Sequence, residues 1–75
     1  DVLSNIGFCY EHEIGVKKDY TKAFEYFKKA ASLGNSHGLS NLGLCYEDGT
    51  GVDQDFSKAV KYLKEAKSRL SNFIK

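Results

Sequence analysis

Two cysteines and two histidines carry the most distinctive chemistry of this 75-residue chain. Thiolate and imidazole groups are the ligands that zinc prefers in proteins. The four candidates are Cys9, His12, His37 and Cys45. Their spacing matches none of the short ligand pairs typical of zinc sites, and the predicted helices would hold the side chains parallel rather than converging. A zinc site is therefore disfavoured, and we interpret the cysteines as small buried hydrophobic residues between structural units.

Catalytic chemistry has no signature in the sequence. No nucleophile and base stand in a recognised arrangement, and no glycine-rich loop is of the kind that cradles phosphate. We therefore predict that the chain is not an enzyme, and that it uses no cofactor and no metal. A regulatory arm of an enzyme is an alternative, in which another domain of the parent protein supplies the activity.

The two cysteines occupy equivalent positions in an internal repeat whose period is 36 residues. Identical pairs at this spacing include Leu3 with Leu39, Asn5 with Asn41, Gly7 with Gly43, Tyr10 with Tyr46, Gly15 with Gly51, Asp19 with Asp55 and Ala23 with Ala59. A fixed period of this length indicates a solenoid, in which each unit buries its apolar face against its neighbours. We assign repeat 1 to residues 1–36 and repeat 2 to residues 37–75. Such folds usually need more than two units, so we expect a piece of a longer protein.

Each repeat is predicted to contain two helices. The apolar stripe of the first helix follows the i, i+3, i+4, i+7 spacing of one helical face, at Leu3, Ile6, Gly7 and Tyr10. Asp19 should cap the second helix, Ser36 the third and Asp55 the fourth. The chain has no proline and few β-branched residues, which disfavours strands. We predict an all-α fold, an α/α superhelix (solenoid) of two antiparallel helix-pair repeats.

The two repeats should end differently. Gly34 is expected to end the second helix, since glycine readily adopts the left-handed conformation found there. Leu70 stands at the equivalent place in repeat 2, so the fourth helix is predicted to extend toward Phe73. Charges at Lys67 and Arg69 suit a solvent-facing surface, and we expect this to be the C-terminal end of the array.

Small and polar residues inside the helices predict how the helices meet. Gly43 should contact Ala59, because small side chains let two helices approach closely, and repeat 1 has glycine and alanine at the equivalent positions. Asn5 and Asn41 lie beside the apolar stripe. We interpret them as buried amides that hydrogen-bond between helices.

The cysteine positions argue against a disulfide. Equivalent stacked helices lie about 8–10 Å apart and direct equivalent side chains the same way, whereas a disulfide needs Cα atoms within about 7 Å and converging Cβ vectors. We therefore predict that Cys9 and Cys45 are free thiols, which favours a reducing compartment such as the cytoplasm. The formal net charge of +1 gives no reason to expect nucleic acid or an anionic membrane as partner.

The segment from Leu42 to Val52 carries the most specific pattern, Leu-Gly-Leu-Cys-Tyr-Glu-Asp-Gly-Thr-Gly-Val, and it is followed by Asp55, Lys58, Ala59 and Tyr62. With its Gly-x-Gly-Val loop, this pattern resembles the Sel1-like repeat, a branch of the tetratricopeptide superfamily, and the resemblance covers essentially the whole chain. It implies a right-handed superhelix in which the first helix of each pair lines a concave groove. It also implies an adaptor or scaffold that assembles protein complexes. Because such complexes include those of ER-associated degradation, the ER lumen is a second location that the resemblance allows.

One loop position departs from that pattern. Glu13 stands where the resemblance places the first loop glycine. If that glycine has a positive φ, Glu13 must adopt a backbone conformation that is strained for a residue with a side chain.

The groove implied by the resemblance would be lined by the polar face of each first helix. Its residues are Ser4, Phe8, Glu11 and His12 in repeat 1 and Ser40, Leu44, Glu47 and Asp48 in repeat 2, with Asp1 and His37 on the same faces. One apolar residue among polar ones on each unit suits a peptide, and the carboxylates favour a basic one. The alternative is that Phe8 and Leu44 pack against neighbouring repeats and that the carboxylates are merely solvated. The lysines of the second and fourth helices are expected to form a solvated convex face rather than an RNA-binding surface.

The resemblance implies, and these surface residues suit, a scaffold or adaptor module that binds a protein or peptide partner. The alternative is a structural end segment of a longer array, which docks another domain through its fourth helix. We also expect the isolated chain to self-associate, because Leu3 and Val2 lack a preceding unit that would cover them. The charged C-terminal face favours a two-fold dimer through the N-terminal face over head-to-tail stacking.

Overall fold

The computed structural model describes residues 2–74, with side chains described for residues 2–69. Four α-helices form within this range: α1 (Val2–His12), α2 (Tyr20–Ser32), α3 (Ser36–Asp48) and α4 (Phe56–Ile74). Residues 2–74 contain no strand. α1 packs against α2 and α3 against α4, while α2 also packs against α3. The predicted all-α fold of two helix pairs is confirmed, and so is the extension of the fourth helix toward Phe73.

Aspartate caps the second helix of each pair, as predicted. Asp19 Oδ1 accepts a hydrogen bond from the backbone N–H of Lys22 at 3.0 Å, and Asp55 Oδ1 accepts one from Lys58 at 3.1 Å. Each bond satisfies a backbone donor that has no partner within its own helix. The two helices therefore begin at equivalent positions of the 36-residue period.

The third helix is capped by Asn35, so the prediction of a Ser36 cap is wrong. Gly34, at φ +82°, ends α2 as predicted and reverses the chain, which leaves Asn35 extended (φ −73°, ψ 122°) before α3. Asn35 Oδ1 then accepts a hydrogen bond from the backbone N–H of Gly38 at 2.7 Å, and Ser36 becomes the first helical residue. The same oxygen accepts a bond from Ser4 Oγ at 3.0 Å, which ties the start of α3 to α1.

The loops inside the two helix pairs have the same conformation. Gly49 and Gly51 have φ values of 71° and 73°, and the equivalent Glu13 and Gly15 have values of 56° and 75°. A 2.9 Å hydrogen bond joins each loop to the carbonyl group of the preceding cysteine. The strained conformation expected for Glu13 is confirmed, and it costs about 1–2 kcal/mol for a residue that has a Cβ atom.

Glycine allows close contact between the two helices of each pair. A Cβ atom added to Gly43 would lie 2.8 Å from Leu63 Cγ and 3.2 Å from the carbonyl oxygen of Ala59. At the equivalent Gly7 it would lie 2.7 Å from Cε1 of Phe27. The predicted contact between Gly43 and Ala59 is confirmed, and neither glycine site has room for a larger residue.

A stacked pair of tyrosines also joins the helices of each pair. The rings of Tyr10 and Tyr26 lie 5.8 Å apart in repeat 1, and those of Tyr46 and Tyr62 lie 5.7 Å apart in repeat 2, nearly parallel in both cases. An ammonium group from the second helix covers the first ring of each pair, at 5.5 Å and 5.3 Å from the ring centre. This aromatic contact is therefore part of the repeating unit.

Repeat 2 packs on repeat 1 through glycine and aromatic residues. A Cβ atom on Gly38 would lie 2.6 Å from Cβ of Ala30, and one on Gly51 would overlap the carbonyl group of Tyr20. Phe24 of α2 meets the ring of Tyr46 edge-on at 5.6 Å. Gly38 has no glycine 36 residues away, so the repeat pattern did not indicate its role in this contact.

Equivalent residues of the two repeats differ in burial. Repeat 2 buries four residues whose equivalents are only half-buried in repeat 1: Leu39 against Leu3, Leu42 against Ile6, Cys45 against Cys9 and Tyr46 against Tyr10. Gly51 abuts α2, but a Cβ atom on Gly15 would meet no described atom within 4 Å. Repeat 1 therefore presents, without a cover, the surface that α2 covers in repeat 2. We call Leu3, Ile6, Cys9, Tyr10 and Val16 the N-terminal face.

The opposite end of the described chain is less uniformly charged than predicted. Lys67 and Arg69 are exposed, as expected for a solvent-facing surface. Phe56 and Val60 are also 62% and 49% exposed, on the same helix. They are equivalent to Tyr20 and Phe24, which contact repeat 2. α4 therefore presents both charged and apolar residues at this end.

Cys45 is buried between the two repeats. Its side chain is 2% exposed and packs with Ala23 and Phe27 of α2. Burial, together with the negative charges of Glu11 and Asp48, raises the pKa of this thiol from 9.0 to about 12. Both cysteines are free thiols, as predicted.

Replacing Gly43 by leucine should destabilise the fold severely, because the new side chain would overlap Leu63 and push α3 away from α4. Overpacking of a buried site costs about 1–3 kcal/mol, and a backbone that cannot move aside raises the cost further. Phe8→Ala should cost less, because Phe8 is 46% exposed. Urea titration gives both free energies of unfolding, and equal losses would show that Phe8 belongs to the core.

We expect self-association through the N-terminal face, seen as a sedimentation coefficient that rises with concentration. Ile6→Glu should keep the chain monomeric, because a carboxylate cannot be buried in an apolar contact without a partner. Val60→Glu, at the other end of the molecule, is the matched control and should leave a two-fold dimer intact. Loss of association in both variants would indicate head-to-tail stacking, and a wild-type monomer at every concentration would contradict the prediction.

Both cysteines should react with Ellman's reagent in the unfolded chain, whereas Cys45 should react very slowly in the folded one. At pH 8 a pKa of about 12 in place of 9.0 lowers the thiolate fraction about 1000-fold. The Cys9→Ala variant isolates this comparison. Equal rates for the folded and the unfolded variant would show that Cys45 is accessible.

The same shift in pKa predicts a loss of stability at alkaline pH. The thiol ionises near pH 9 in the unfolded chain but only near pH 12 in the folded one, so rising pH favours unfolding between these values. Cys45→Ala should flatten the dependence of the free energy of unfolding on pH in this window. Cys9→Ala is the matched control, and identical slopes in both variants would contradict the prediction.

Candidate protein-interaction groove

The first helices of the two repeats, α1 and α3, lie side by side and form one surface, which we call the groove surface. A cavity of about 370 Å³ opens between them. It is lined by Ser4, Asn5 and Phe8 of α1 and by His37 and Asn41 of α3. The structure therefore brings Ser4, Phe8 and His37, which were all predicted to lie on the groove face, together with Asn5 and Asn41, which were not, whereas Asp1 lies outside the described residues.

Two large apolar side chains are exposed at equivalent positions of the groove surface. Phe8 is 46% and Leu44 is 45% exposed, whereas Phe27 and Leu39 are at most 2% exposed. The position is therefore apolar in both repeats without contributing to the buried core. Large apolar residues that remain exposed are typical of surfaces that bind a partner, and of these two only Phe8 lines the cavity.

The two predicted groove serines differ in accessibility. Ser4 is 5% exposed and donates its hydroxyl hydrogen to Asn35, so it lies on the floor of the cavity and holds the repeats together. Ser40 is half-buried. A ligand would reach the residues around Ser4 more easily than Ser4 itself.

Asn5 and Asn41 do not have the buried role that their sequence positions suggested. Asn5 is exposed and Asn41 is half-buried, and both line the cavity. Among the described residues, neither side-chain amide has a hydrogen-bond partner. The amide that links helices is Asn35 instead, which accepts bonds from Ser4 and Gly38. The apolar stripe shows which residues of α1 and α3 face α2 and α4. It does not show which flank of the stripe faces the cavity, so the exposure of the asparagines was not evident from the sequence.

The ring of Phe8 is held at the edge of the cavity by His12. The two ring centres lie 4.2 Å apart, with their planes inclined by 42°. Nε2 of His12 lies 3.3 Å from a carboxylate oxygen of Glu11. The ring contact between Phe8 and His12 therefore places Phe8 near the carboxylate of Glu11.

Three carboxylates lie near the C-terminal ends of α1 and α3. Glu11 and Glu47 are half-buried, and Asp48 is exposed. Burial is the main cause of the raised pKa of Cys45, and the charges of Glu11 and Asp48, from different repeats, raise it further, so both carboxylates act on this site between the repeats. The last turn of α3 contains no basic residue, and the partial negative charge of a helix C-terminus adds to this field. This end of the groove surface therefore favours a cation.

The candidate zinc ligands do not form a cluster in the described part of the chain. Within residues 2–74, no group of three or more histidine, cysteine, aspartate or glutamate residues is placed to hold a metal ion. Cys45 is buried between repeats, whereas His12 and His37 are exposed. No helix in the described range is both long enough and apolar enough to cross a membrane.

The lysines of α2 and α4 are exposed, and several of them cover tyrosine rings. Lys29 lies 5.4 Å from the ring centre of Tyr26, and Lys61 lies 5.8 Å from that of Tyr62. Such contacts contribute about 0.5–1 kcal/mol each at exposed sites. The lysines therefore have a packing role on the side of the molecule away from the groove surface.

Comparison with known proteins agrees with this architecture. The model of the Sel1 repeat matches the chain twice, at residues 2–35 and 36–69. The crystal structure of a Sel1 repeat protein from Oxalobacter formigenes superposes with a TM-score of 0.87 at 39% sequence identity, over 89% of this chain. The match covers 27% of that protein, so the chain spans about a quarter of its length. No curated protein matches the chain. Two helix pairs with this loop, matched in both repeats by the family model, show that the chain belongs to the Sel1 repeat family.

Proposed function

We propose that the chain is a scaffold module that binds a protein or peptide segment along the groove surface. Sel1 repeats generally mediate protein–protein interaction and are typically non-catalytic. The observation that carries the proposal for this chain is the pair of equivalent exposed apolar side chains, Phe8 and Leu44, of which Phe8 lines a cavity of about 370 Å³. Exposed apolar anchors surrounded by polar residues resemble the centre of an interface.

The charge of the groove surface favours a basic partner. Glu11, Glu47 and Asp48 lie at one end of the parallel helices, beyond the two apolar anchors. A partner that has a lysine or arginine next to an apolar residue would place its positive charge near these carboxylates, where opposite charges attract. The residues proposed to contact the partner are Ser4, Phe8, Glu11, His12, Ser40, Leu44, Glu47 and Asp48.

The exposed apolar residues of α4 favour a second candidate function, in which the chain docks another domain. Phe56 and Val60 are 62% and 49% exposed, and their equivalents in α2 contact the following repeat. A domain that packed on α4 could use the same kind of contact. The chain would then be a structural segment, and the groove surface would have no ligand of its own.

A peptide array tests the first candidate directly. Peptides that combine one large apolar residue with lysine or arginine should bind the wild-type chain, and fluorescence anisotropy would give their Kd values. Phe8→Ala and Leu44→Ala should each weaken binding about tenfold or more, as truncation of a central anchor does. Glu47→Gln should weaken binding less and should reduce its dependence on salt.

Val60→Ala is the matched control, since Val60 is an equally exposed apolar residue on the opposite side. It should leave the Kd of the peptides unchanged. If Val60→Ala weakens capture of a partner while Leu44→Ala does not, docking on α4 is the better description. Circular dichroism of each variant would show that its fold is retained.

A further inference from the structure

We propose that a slot between α2 and α4, on the side of the molecule away from the groove surface, binds an acidic protein segment that inserts one apolar side chain. This inference goes beyond the proposed function, because it concerns a different surface and a partner of opposite charge. The module would then join a basic partner on one side to an acidic partner on the other.

The slot exists because the second helices of the two repeats do not pack directly on each other. Within the described residues, α3 packs against both α2 and α4, whereas α2 and α4 make no backbone contact with each other. A cavity of about 210 Å³ remains between them, and we call it the convex slot. Its lining includes Lys28, Ala31 and Ser32 of α2, Leu42 of α3, and Tyr62 and Glu65 of α4.

The interior of the convex slot is apolar and its rim is polar. Ala31 and Tyr62 are half-buried and pack against the buried side chain of Leu42. Lys28 and Ser32 are exposed at the rim. The volume is below the range of about 300–1,000 Å³ that is usual for small-molecule pockets, so the slot suits a single side chain. An aliphatic side chain that entered it would be removed from water on contact with apolar residues.

Charge is unevenly distributed between the two sides of the molecule. α1 and α3, which form the groove surface, contain no lysine and no arginine. α2 and α4 contain one glutamate each and the following basic residues: Lys22, Lys28, Lys29, Lys58, Lys61, Lys64, Lys67 and Arg69. The formal net charge of +1 for the whole chain conceals this separation. The second helices therefore attract an anionic partner, whereas the groove surface attracts a cationic one.

The repeat equivalents Lys28 and Lys64 carry charges that no contact within the described chain uses. Both side chains are exposed, and neither covers an aromatic ring nor forms an ion pair with a described residue. Lys29 and Lys61 differ, because each lies over a tyrosine ring. A carboxylate of a partner could therefore pair with Lys28 at the rim of the slot without breaking a contact that stabilises the fold.

The arrangement favours a protein segment over a nucleic acid or a membrane. Tyr26 and Tyr62 each stack on a tyrosine of the first helix and have a lysine over the ring, so neither offers a free face to a base. A membrane surface would require apolar residues along an exposed helix face, but the exposed face of α2 carries Thr21, Glu25 and Lys28. An apolar slot beside an unpaired cation fits an acidic segment with one apolar residue.

The first experiment tests the charge of the partner. It uses a fluorescein-labelled heptapeptide with a central leucine and two glutamates on each side, and a copy with glutamine in place of each glutamate. Fluorescence anisotropy should show that the wild-type chain binds the acidic peptide at least tenfold more tightly than the copy. Lys28→Gln should weaken binding of the acidic peptide about threefold, as loss of one exposed ion pair does. Lys67→Gln is the matched control, because its equivalent, Ala31, faces repeat 2 and Lys67 therefore faces away from α2.

The second experiment blocks the convex slot. Ser32 is exposed, and its hydroxyl group donates only to the carbonyl group of Lys29 in its own helix, at 2.7 Å. Ser32→Trp should therefore cover the slot without disturbing the core, and it should weaken binding of the acidic peptide about tenfold or more. Ser68→Trp is the repeat-equivalent control, exposed and outside the slot, and should leave binding unchanged. Replacing the central leucine of the peptide by alanine should weaken binding to the wild type but have little effect on Ser32→Trp.

The outcomes separate this inference from the proposed function. Absence of binding of the acidic peptide, or equal binding by the wild type and Ser32→Trp, overturns the inference and leaves the groove function standing. Loss of acidic-peptide binding in Phe8→Ala would place that peptide on the groove surface and also overturns it. Tighter binding of a uridine dodecamer or of phosphatidylserine vesicles than of the acidic peptide overturns the choice of a protein partner.

The groove function has its own readout in the same variants. Basic peptides from the array described above should bind Ser32→Trp as tightly as they bind the wild type. If they fail to bind the wild type while the acidic peptide binds, the proposed function fails and the convex slot stands. Circular dichroism and Tm of the variants would exclude unfolding as the cause of lost binding.

Discussion

The backbones of the two repeats touch, and the rest of the structure depends on that contact. Gly38 lies against Ala30, and Gly51 lies against the carbonyl group of Tyr20, with no space for a side chain at either glycine. Because α2 is thereby held between α1 and α3, the distance between the first helices is set by glycine rather than by flexible side chains. The cavity between α1 and α3 exists at this distance, and it would close or widen if the contact changed.

The same contact explains why identical residues have different environments in the two repeats. Cys45 is buried against α2 and its pKa is raised to about 12, whereas Cys9 is only half-buried on the N-terminal face. Chemical reactivity here is therefore a property of the position in the stack, not of the repeat sequence. Within the chain, α2 of repeat 1 packs against α3 of repeat 2. The exposed N-terminal face and the exposed Phe56 of α4 are the repeat equivalents of the two sides of that contact.

The regular 36-residue repeat made the fold predictable. The candidate site was less predictable, because it depends on how the two repeats pack against each other. The 36-residue period and the caps Asp19 and Asp55 are local signals, and both led to the correct helix pairs. The cap at Asn35 depends on how Gly34 redirects the chain, and the outward direction of Asn5 depends on how α1 lies against α3. A helical stripe shows which residues face a partner helix, but it does not distinguish the two flanks of that stripe. Only the packing of the two repeats does so.

Differences between the repeats within the groove surface bear on what it recognises. Asn5 and Asn41 are identical, and so are Glu11 and Glu47, whereas Leu44 replaces Phe8 and Asp48 replaces His12. Asn5 and Asn41 both line the cavity, so this part of its lining is the same in the two repeats. Phe8 contacts the imidazole ring of His12, whereas the residue equivalent to His12 in repeat 2 is Asp48. Because Phe8 and Leu44 are both exposed, the buried core does not fix which apolar residue stands at this position, and the two repeats can present different side chains on the same packed framework.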